Sequence, residues 1–148
     1  MTTKSEDSTT PPPGASTLWF EGDRLVMRPI GPIEVQEICR VVDMSEQLYA
    51  KYGYVLILGD AKHTTGLSSD ARKLQAEQLK RVIRPSHTAI YHVNAVTRMM
   101  TGLAQRGIEA ISGKTYPVSF HKDEAEARAE LDQQRVLLQR SAPPLPPC

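Results

Sequence analysis

The hydrophobic positions of the chain alternate between strand-like and helix-like spacing, beginning with a hairpin pattern. Thr17 to Glu21 and Arg24 to Pro29 are short alternating runs, and Gly22-Asp23 between them is a typical tight turn. Gly31-Pro32 then suits a helix start, and the apolar residues that follow keep one helical face as far as Gly53. We therefore expect an antiparallel hairpin followed by a first helix.

Three further apolar stretches predict strands that are separated by helices. Tyr54 to Leu58 is continuously apolar, which is typical of a strand covered on both faces, whereas Gly59 to Gly66 is polar and predicts a loop. His87 to Val93 and Tyr116 to Phe120 are the next two predicted strands. The predicted helices run from Ser68 or Ser69 to the residues before Pro85, from Asn94 to Ser112, and from Asp123 onward.

This order of elements predicts a single α/β domain. Helices that connect successive strands require right-handed crossovers, and such crossovers produce a mostly parallel sheet. We expect a mixed, mostly parallel sheet of about five strands that includes the N-terminal antiparallel hairpin, together with about four helices.

Both ends of the chain differ in composition from the stretch between them. Residues 1–16 are rich in Ser, Thr and Pro and have no apolar face, so we expect a disordered leader. Residues 141–148 contain four prolines and predict a Pro-rich flexible tail, which leaves the domain at residues 17–140. With Arg140 in front, the tail also fits a polyproline ligand for an aromatic groove, as an alternative to a plain tail.

Charge and cysteine content exclude several classes of protein. The 18 basic and 17 acidic side chains leave a net charge of +1, which gives no field that would attract nucleic acid. No apolar run approaches the roughly 18 residues of a membrane-spanning helix. Two cysteines cannot build a disulfide framework or a metal cage. We therefore expect a cytoplasmic protein with no nucleic-acid partner, no membrane span and no cofactor.

The histidines do not form a metal-binding pattern. His87 and His92 lie at odd spacing in one predicted strand, so we expect them on opposite faces of the sheet. His121 stands alone after the last predicted strand. Because none of them lies at a ligand-like interval from a cysteine or carboxylate, we expect no metal site.

Polar residues follow the central predicted strand, at the position where open α/β sheets bind ligands. A catalytic interpretation makes His63 a general base, Asp60 its orienting carboxylate, and Ser68 or Ser69 the nucleophile. The alternative is a solvated loop with a serine that caps the next helix. We favour this second interpretation because no GxSxG nucleophile elbow is present.

Three stretches of the chain, in this order, resemble the SpoIIAA-like family of STAS-type domains, over about Leu18 to Leu131. The first is the apolar strand ending in an acidic residue, the second is the entry to the second helix, and the third is the closing strand and helix. They read Tyr54-Val55-Leu56-Ile57-Leu58-Gly59-Asp60, then Gly66-Leu67-Ser68-Ser69-Asp70-Ala71-Arg72, then Val118-Ser119-Phe120 with Asp123-Glu124-Ala125-Glu126-Ala127 and Leu131.

This resemblance implies a non-enzymatic module that binds a protein partner. Antagonist members of the family bind a kinase-type anti-sigma factor and are switched by phosphorylation of a serine at the start of the second helix, where Ser68 and Ser69 stand here. Asp70 follows in place of the family's glycine and would repel a phosphate, so a simple helix cap is the alternative. The implied interaction or phospho-switch positions are Ser68, Ser69, Asp60, Lys62 and Arg72.

The same resemblance extends to the CRAL-TRIO lipid-binding fold and implies an apolar ligand as an alternative to a protein partner. Adjacent methionines are typical of adaptable apolar sites. The residues expected to line such a pocket are Tyr91, Met99, Met100, Ile108 and Ile111. The alternative is that these side chains form ordinary core.

Overall fold

The computed structural model describes residues 17–81, 85–94 and 117–141, and these form a helix-covered sheet. The five strands of the main sheet lie in the order β1-β2-β4-β6-β7; β1 is antiparallel to β2, and all other neighbours are parallel. This confirms the predicted α/β fold with its mixed sheet and N-terminal hairpin. The elements are β1 (Thr17–Glu21), β2 (Arg24–Arg28), β3 (Gly31–Ile33), α1 (Val35–Tyr52), β4 (Val55–Asp60), β5 (Thr64–Leu67), α2 (Ser69–Arg81), β6 (Ser86–Tyr91), β7 (Val118–His121) and α3 (Glu124–Ser141).

The main sheet buries apolar side chains on both of its faces. Successive residues of a strand point to opposite faces, so the continuous apolar run of β4 supplies two cores at once. Leu56 and Leu58 are fully buried beneath α3, where Ala127 and Leu131 pack against them. Val55 lies on the other face and packs with Leu48 of α1.

The segment after the hairpin is a strand, and the prediction that a helix begins at Gly31-Pro32 is wrong. Gly31–Ile33 pairs in parallel with Thr64–Leu67 to form a separate two-stranded sheet. The prediction of a polar loop from Gly59 to Gly66 is also wrong. Strand β4 continues to Asp60, and β5, the partner of β3, begins at Thr64. Pro32 suits a first helical turn, but it is equally tolerated in a strand at the edge of a sheet.

The helix ends follow the local signals in the sequence. Glu37 accepts a hydrogen bond from the backbone N–H of Glu34 at the start of α1, and Gly53 ends the helix in the left-handed region, with φ 85°. Asp123 caps α3 by accepting the N–H of Glu126 at 2.9 Å, as predicted. The predicted leader, residues 95–112 of the predicted helix and residues 142–148 of the predicted tail lie outside the described residues.

Ion pairs connect α3 to the N-terminal hairpin. They bridge residues more than a hundred positions apart in the chain. The pairs are Glu21 with Arg128, Arg24 with Asp132, and Asp23 with Arg135. Among the described helices, none has the apolar length needed to cross a membrane.

Candidate functional site

The carboxyl ends of the parallel strands bring together residues that are distant in the sequence. Arg28 ends β2, Asp60 ends β4, and Tyr91 ends β6, with His92 directly after it. Because β2, β4 and β6 are adjacent and parallel, these residues lie at one edge of the sheet. Ligands of open α/β sheets bind at such an edge.

The carboxylate of Asp60 is the centre of this edge. Its Oδ1 accepts the backbone N–H of Lys62 at 3.0 Å and lies 3.1 Å from Nδ1 of His92. Its Oδ2 lies 4.0 Å from Nε of Arg28. The side chain of Asp60 is only 16% exposed, so these contacts hold the carboxylate in one position.

The Asp60–His63 pair of the less favoured catalytic interpretation is not formed in the structure. Asp60 contacts His92, whereas His63 is exposed and its backbone carbonyl accepts the N–H of Gly31 at 2.9 Å. Within the described stretches, no side-chain contact joins His63 to Ser68 or Asp60. The catalytic arrangement considered from the sequence is therefore not formed by these residues.

The small β3–β5 sheet gives the segment after Asp60 a defined shape. The Thr64 hydroxyl donates to the carbonyl of Gly31 at 2.9 Å and accepts the N–H of Gly66 at 3.1 Å. The backbone N–H of Ser68 donates to the carbonyl of Ile33 at 3.0 Å, which fixes the entry to α2. The segment thus enters α2 from a paired strand.

The two serines at the start of α2 differ in what their hydroxyls do. Oγ of Ser68 accepts the backbone N–H of Ala71 at 3.1 Å, so this half-buried side chain caps the helix. Ser69 is the first residue of the helix and is exposed. Capping therefore occupies Ser68 and leaves Ser69 facing solvent.

Charged side chains of both signs flank these serines. Lys62, Asp70 and Arg72 are exposed. The guanidinium of Arg72 lies 3.5 Å from the carbonyl of Leu67, a long contact that holds the side chain weakly. Residues 60–72, named here the Asp60–Arg72 surface, thus present polar and charged groups of both signs.

Tyr91 packs into the core beneath α3 together with Leu58 and Ala127, and it is buried. Burial raises the pKa of Tyr91 to about 12; the negative charges of Asp60 and Glu124 add to this effect, and Arg28 opposes it. The other four residues of the predicted apolar pocket, at positions 99, 100, 108 and 111, lie outside the described residues. The pocket therefore stays a prediction.

Two of the histidines are joined through a serine. His87 and His121 both contact the hydroxyl of Ser119, so His121, which is isolated in the sequence, has a histidine near it in the fold. Strand β6 ends at Tyr91, and His92 adopts a φ of 62° as the chain turns, so His92 is not part of that strand. In the stretches that the structure describes, no group of three or more His, Cys, Asp or Glu side chains is arranged to hold a metal ion.

Arg28 and His92 are the residues of this edge that sequence reasoning missed. The rule that ligands bind at the carboxyl ends of strands was applied to the central strand alone. Applied to the neighbouring strands, the same rule selects Arg28 at the end of β2 and His92 directly after β6. Both residues are then candidate partners of Asp60.

Comparison with known proteins identifies a fold. No family model matches the sequence, and no curated protein matches it. A solved structure of the anti-sigma factor antagonist SpoIIAA in its unphosphorylated form is similar with a TM-score of 0.50 and 15% identity, covering 80% of this chain and 98% of that one. An uncharacterized DUF3478-family protein with a SpoIIAA-like fold from Shewanella loihica PV-4 gives a TM-score of 0.47 and 20% identity, covering 79% and 92%.

The order of the strands, the antiparallel hairpin and the likeness to a solved structure agree with the resemblance in the sequence. At this level of identity, the likeness concerns the arrangement of the backbone. The chain has a SpoIIAA-like fold.

Proposed function

We propose that this protein is a non-enzymatic regulatory module that binds a protein partner through the Asp60–Arg72 surface. The observation that carries the proposal is the paired strand β5, which leads directly into α2, together with the exposed side chains of Lys62, Ser69 and Arg72 on either side of this connection. A surface held in one shape loses little conformational entropy when a partner binds. Exposed charges of both signs supply specificity for that partner.

The fold supports this proposal by analogy. The similar solved structure is that of an anti-sigma factor antagonist. One fold serves many functions, so the analogy raises the expectation of a protein partner and does not identify that partner.

Phosphorylation of Ser69 is the form of regulation that we propose for this surface. Ser68 and Ser69 both stand at the helix start, but the hydroxyl of Ser68 is occupied by the N–H of Ala71. A phosphate on exposed Ser69 gains from the positive end of α2 and is opposed by neighbouring Asp70. A phosphate at this position would change the charge of the Asp60–Arg72 surface, to which we propose that the partner binds.

The test is a binding measurement with charge-reversed variants. The partner is first identified by photo-crosslinking from position 69 in the protein's own host, and its affinity is then measured by calorimetry. Lys62→Glu, Ser69→Glu and Arg72→Glu should each weaken binding about tenfold, a change of about 1.4 kcal/mol.

Gln133→Glu is the matched control for these variants. Gln133 is exposed on α3, which covers the opposite face of the sheet from α1 and α2. Binding that is weakened by Gln133→Glu and not by the three surface variants would refute the proposed surface. Full affinity in all four variants would refute it as well.

A further inference from the structure

The imidazole of His92 is held by Asp60 in a defined orientation. Nδ1 of His92 lies 3.1 Å from Oδ1 of Asp60, and that carboxylate is itself held by the backbone of Lys62 and faces Arg28. An ionised carboxylate only accepts hydrogen bonds, so the proton of the neutral ring resides on Nδ1. The lone pair of the neutral ring is then on Nε2.

The ring of His92 is partly exposed, and its contact with Asp60 uses Nδ1 and not Nε2. The side chain of His92 is 40% exposed, in contrast to 16% for Asp60. The ring also packs edge-on against Tyr91, with 4.7 Å between the ring centroids. Among the described residues, no hydrogen bond or ion pair engages Nε2, since the contact with Asp60 uses Nδ1.

The backbone of His92 supports a special role for this residue. Its φ of 62° is the one positive value among the non-glycine residues that the structure describes. Such conformations are uncommon, although His adopts them more readily than most residues, and they occur often at functional sites. Here the turn after β6 brings the ring to the carboxylate that ends β4.

A histidine of this kind has the properties of a nucleophile. When Nε2 of a neutral imidazole forms a bond to an electrophile, the ring becomes positively charged. A carboxylate on Nδ1–H stabilises that charge and preserves the reactive tautomer, as in catalytic carboxylate–histidine pairs. Asp60 occupies this position for His92, whereas His63 has no such contact in the described part of the chain.

We propose that His92 is a phosphoryl-accepting histidine that reacts through Nε2. The lone pair of Nε2 attacks the phosphorus of a donor of the phosphoramidate or acyl-phosphate class. The new P–N bond forms as the donor's bond to phosphorus breaks, and the leaving group departs with the bonding electron pair. The proton on Nδ1 stays in its hydrogen bond to Asp60.

The neighbouring charges favour a phosphoryl group over a neutral acyl group. Nε of the positively charged Arg28 lies 4.0 Å from Oδ2 of Asp60, whereas Lys62 contacts this carboxylate through its backbone N–H. Cations beside the site stabilise the charge of a dianionic phosphoryl group. The proposal concerns the reactivity of His92 alone and stands whether or not the Asp60–Arg72 surface binds a protein.

The experiment uses the full chain and potassium phosphoramidate as the phosphoryl donor. Modification is followed by intact mass spectrometry under alkaline conditions, and the site is mapped by fragmentation. We expect His92 to be modified at least about tenfold faster than exposed His63, and Asp60→Asn to remove most of that difference. His92→Gln should eliminate the fast phase, and His63→Gln should leave it unchanged.

Equal rates at His92 and His63 would overturn the proposal, and so would an unchanged His92 rate in Asp60→Asn. A second measurement does not depend on any variant. Nitrogen-15 NMR of the unmodified protein at alkaline pH should show the Nδ1–H tautomer for His92, and an Nε2–H tautomer would refute the assignment.

Discussion

Nε2 of His87 lies 2.9 Å from Oγ of Ser119, and the same hydroxyl lies 2.8 Å from Nε2 of His121. A hydroxyl has one proton to donate, so at most one of the two rings can accept it and the other must donate to the oxygen. Both hydrogen bonds can therefore form when one imidazole is neutral and accepts the hydroxyl proton at an unprotonated Nε2. Glu130 of α3 lies 3.9 Å from His87 on the helix side of this cluster.

The stability of the fold should decrease as the pH falls below 6.5. Burial lowers the pKa of His87 below its ordinary value of 6.5; Glu130 opposes the shift, and the nearby His121 adds to it. The unfolded chain therefore binds more protons than the folded one, so this contribution is fully present above 6.5 and is lost as the pH falls through the lowered value. Urea unfolding from about pH 8 to about pH 5 measures the effect.

The control for this pH dependence is a second histidine. His87→Gln should flatten the dependence, because glutamine keeps a polar group near Ser119 and does not titrate. His63→Gln should leave the dependence as it is in the parent, since His63 is exposed. Equal slopes in the parent and in His87→Gln would contradict the assignment to His87.

The two serines at the start of α2 should respond differently to removal of the hydroxyl. Ser68→Ala should lower the free energy of unfolding by about 0.5–2 kcal/mol, because the N–H of Ala71 loses its acceptor. Ser69→Ala should change it by less than about 0.5 kcal/mol, as expected for an exposed side chain. Chemical denaturation of both variants under one buffer condition tests the difference, which would be absent if Ser68 were not the cap.

The hydroxyl of Tyr54 should contribute to the attachment of α3. It donates to Oδ2 of Asp23 at 2.8 Å, and Arg135 of α3 holds the same carboxylate. Tyr54→Phe should cost about 0.5–1.5 kcal/mol and speed hydrogen exchange in α3. If the exchange of α1 amides rose instead, the loss would not be specific to α3.

The hydroxyl of Thr64 should stabilise the β3–β5 sheet. Thr64→Val keeps the branched shape but removes both the donor to Gly31 and the acceptor for Gly66. We expect a loss of about 1–3 kcal/mol and faster proteolysis between Asp60 and Ser68. Thr65→Val is the matched control, since Thr65 is exposed in the same strand, and equal loss in both variants would exclude a specific role of Thr64.

The sequence was informative wherever local signals determined the structure. The apolar run at Tyr54 to Leu58, the glycine at position 53 and the cap at Asp123 depend on neighbours in the chain, and these predictions agree with the structure. The order of strand-like and helix-like segments was sufficient to predict the mostly parallel sheet, because helices that connect successive strands require right-handed crossovers.

Errors arose where a partner distant in the sequence decides the outcome. Gly31–Ile33 is a strand only because Thr64–Leu67 lies beside it, and neither segment reveals the other. Asp60 has a histidine close to it in the sequence, His63, yet it binds His92 after a turn of the backbone. Tertiary pairing of this kind leaves no periodic signal.

The attachment of α3 to the hairpin affects how the protein folds during synthesis. All five strands of the main sheet precede α3 in the chain, and the apolar face that carries Leu56 and Leu58 is covered by that helix. A nascent chain that has emerged only as far as β7 therefore lacks the cover that α3 gives to this face, and exposed apolar surfaces promote aggregation. The newly made protein thus becomes protected against aggregation when α3 has been translated and has left the ribosome.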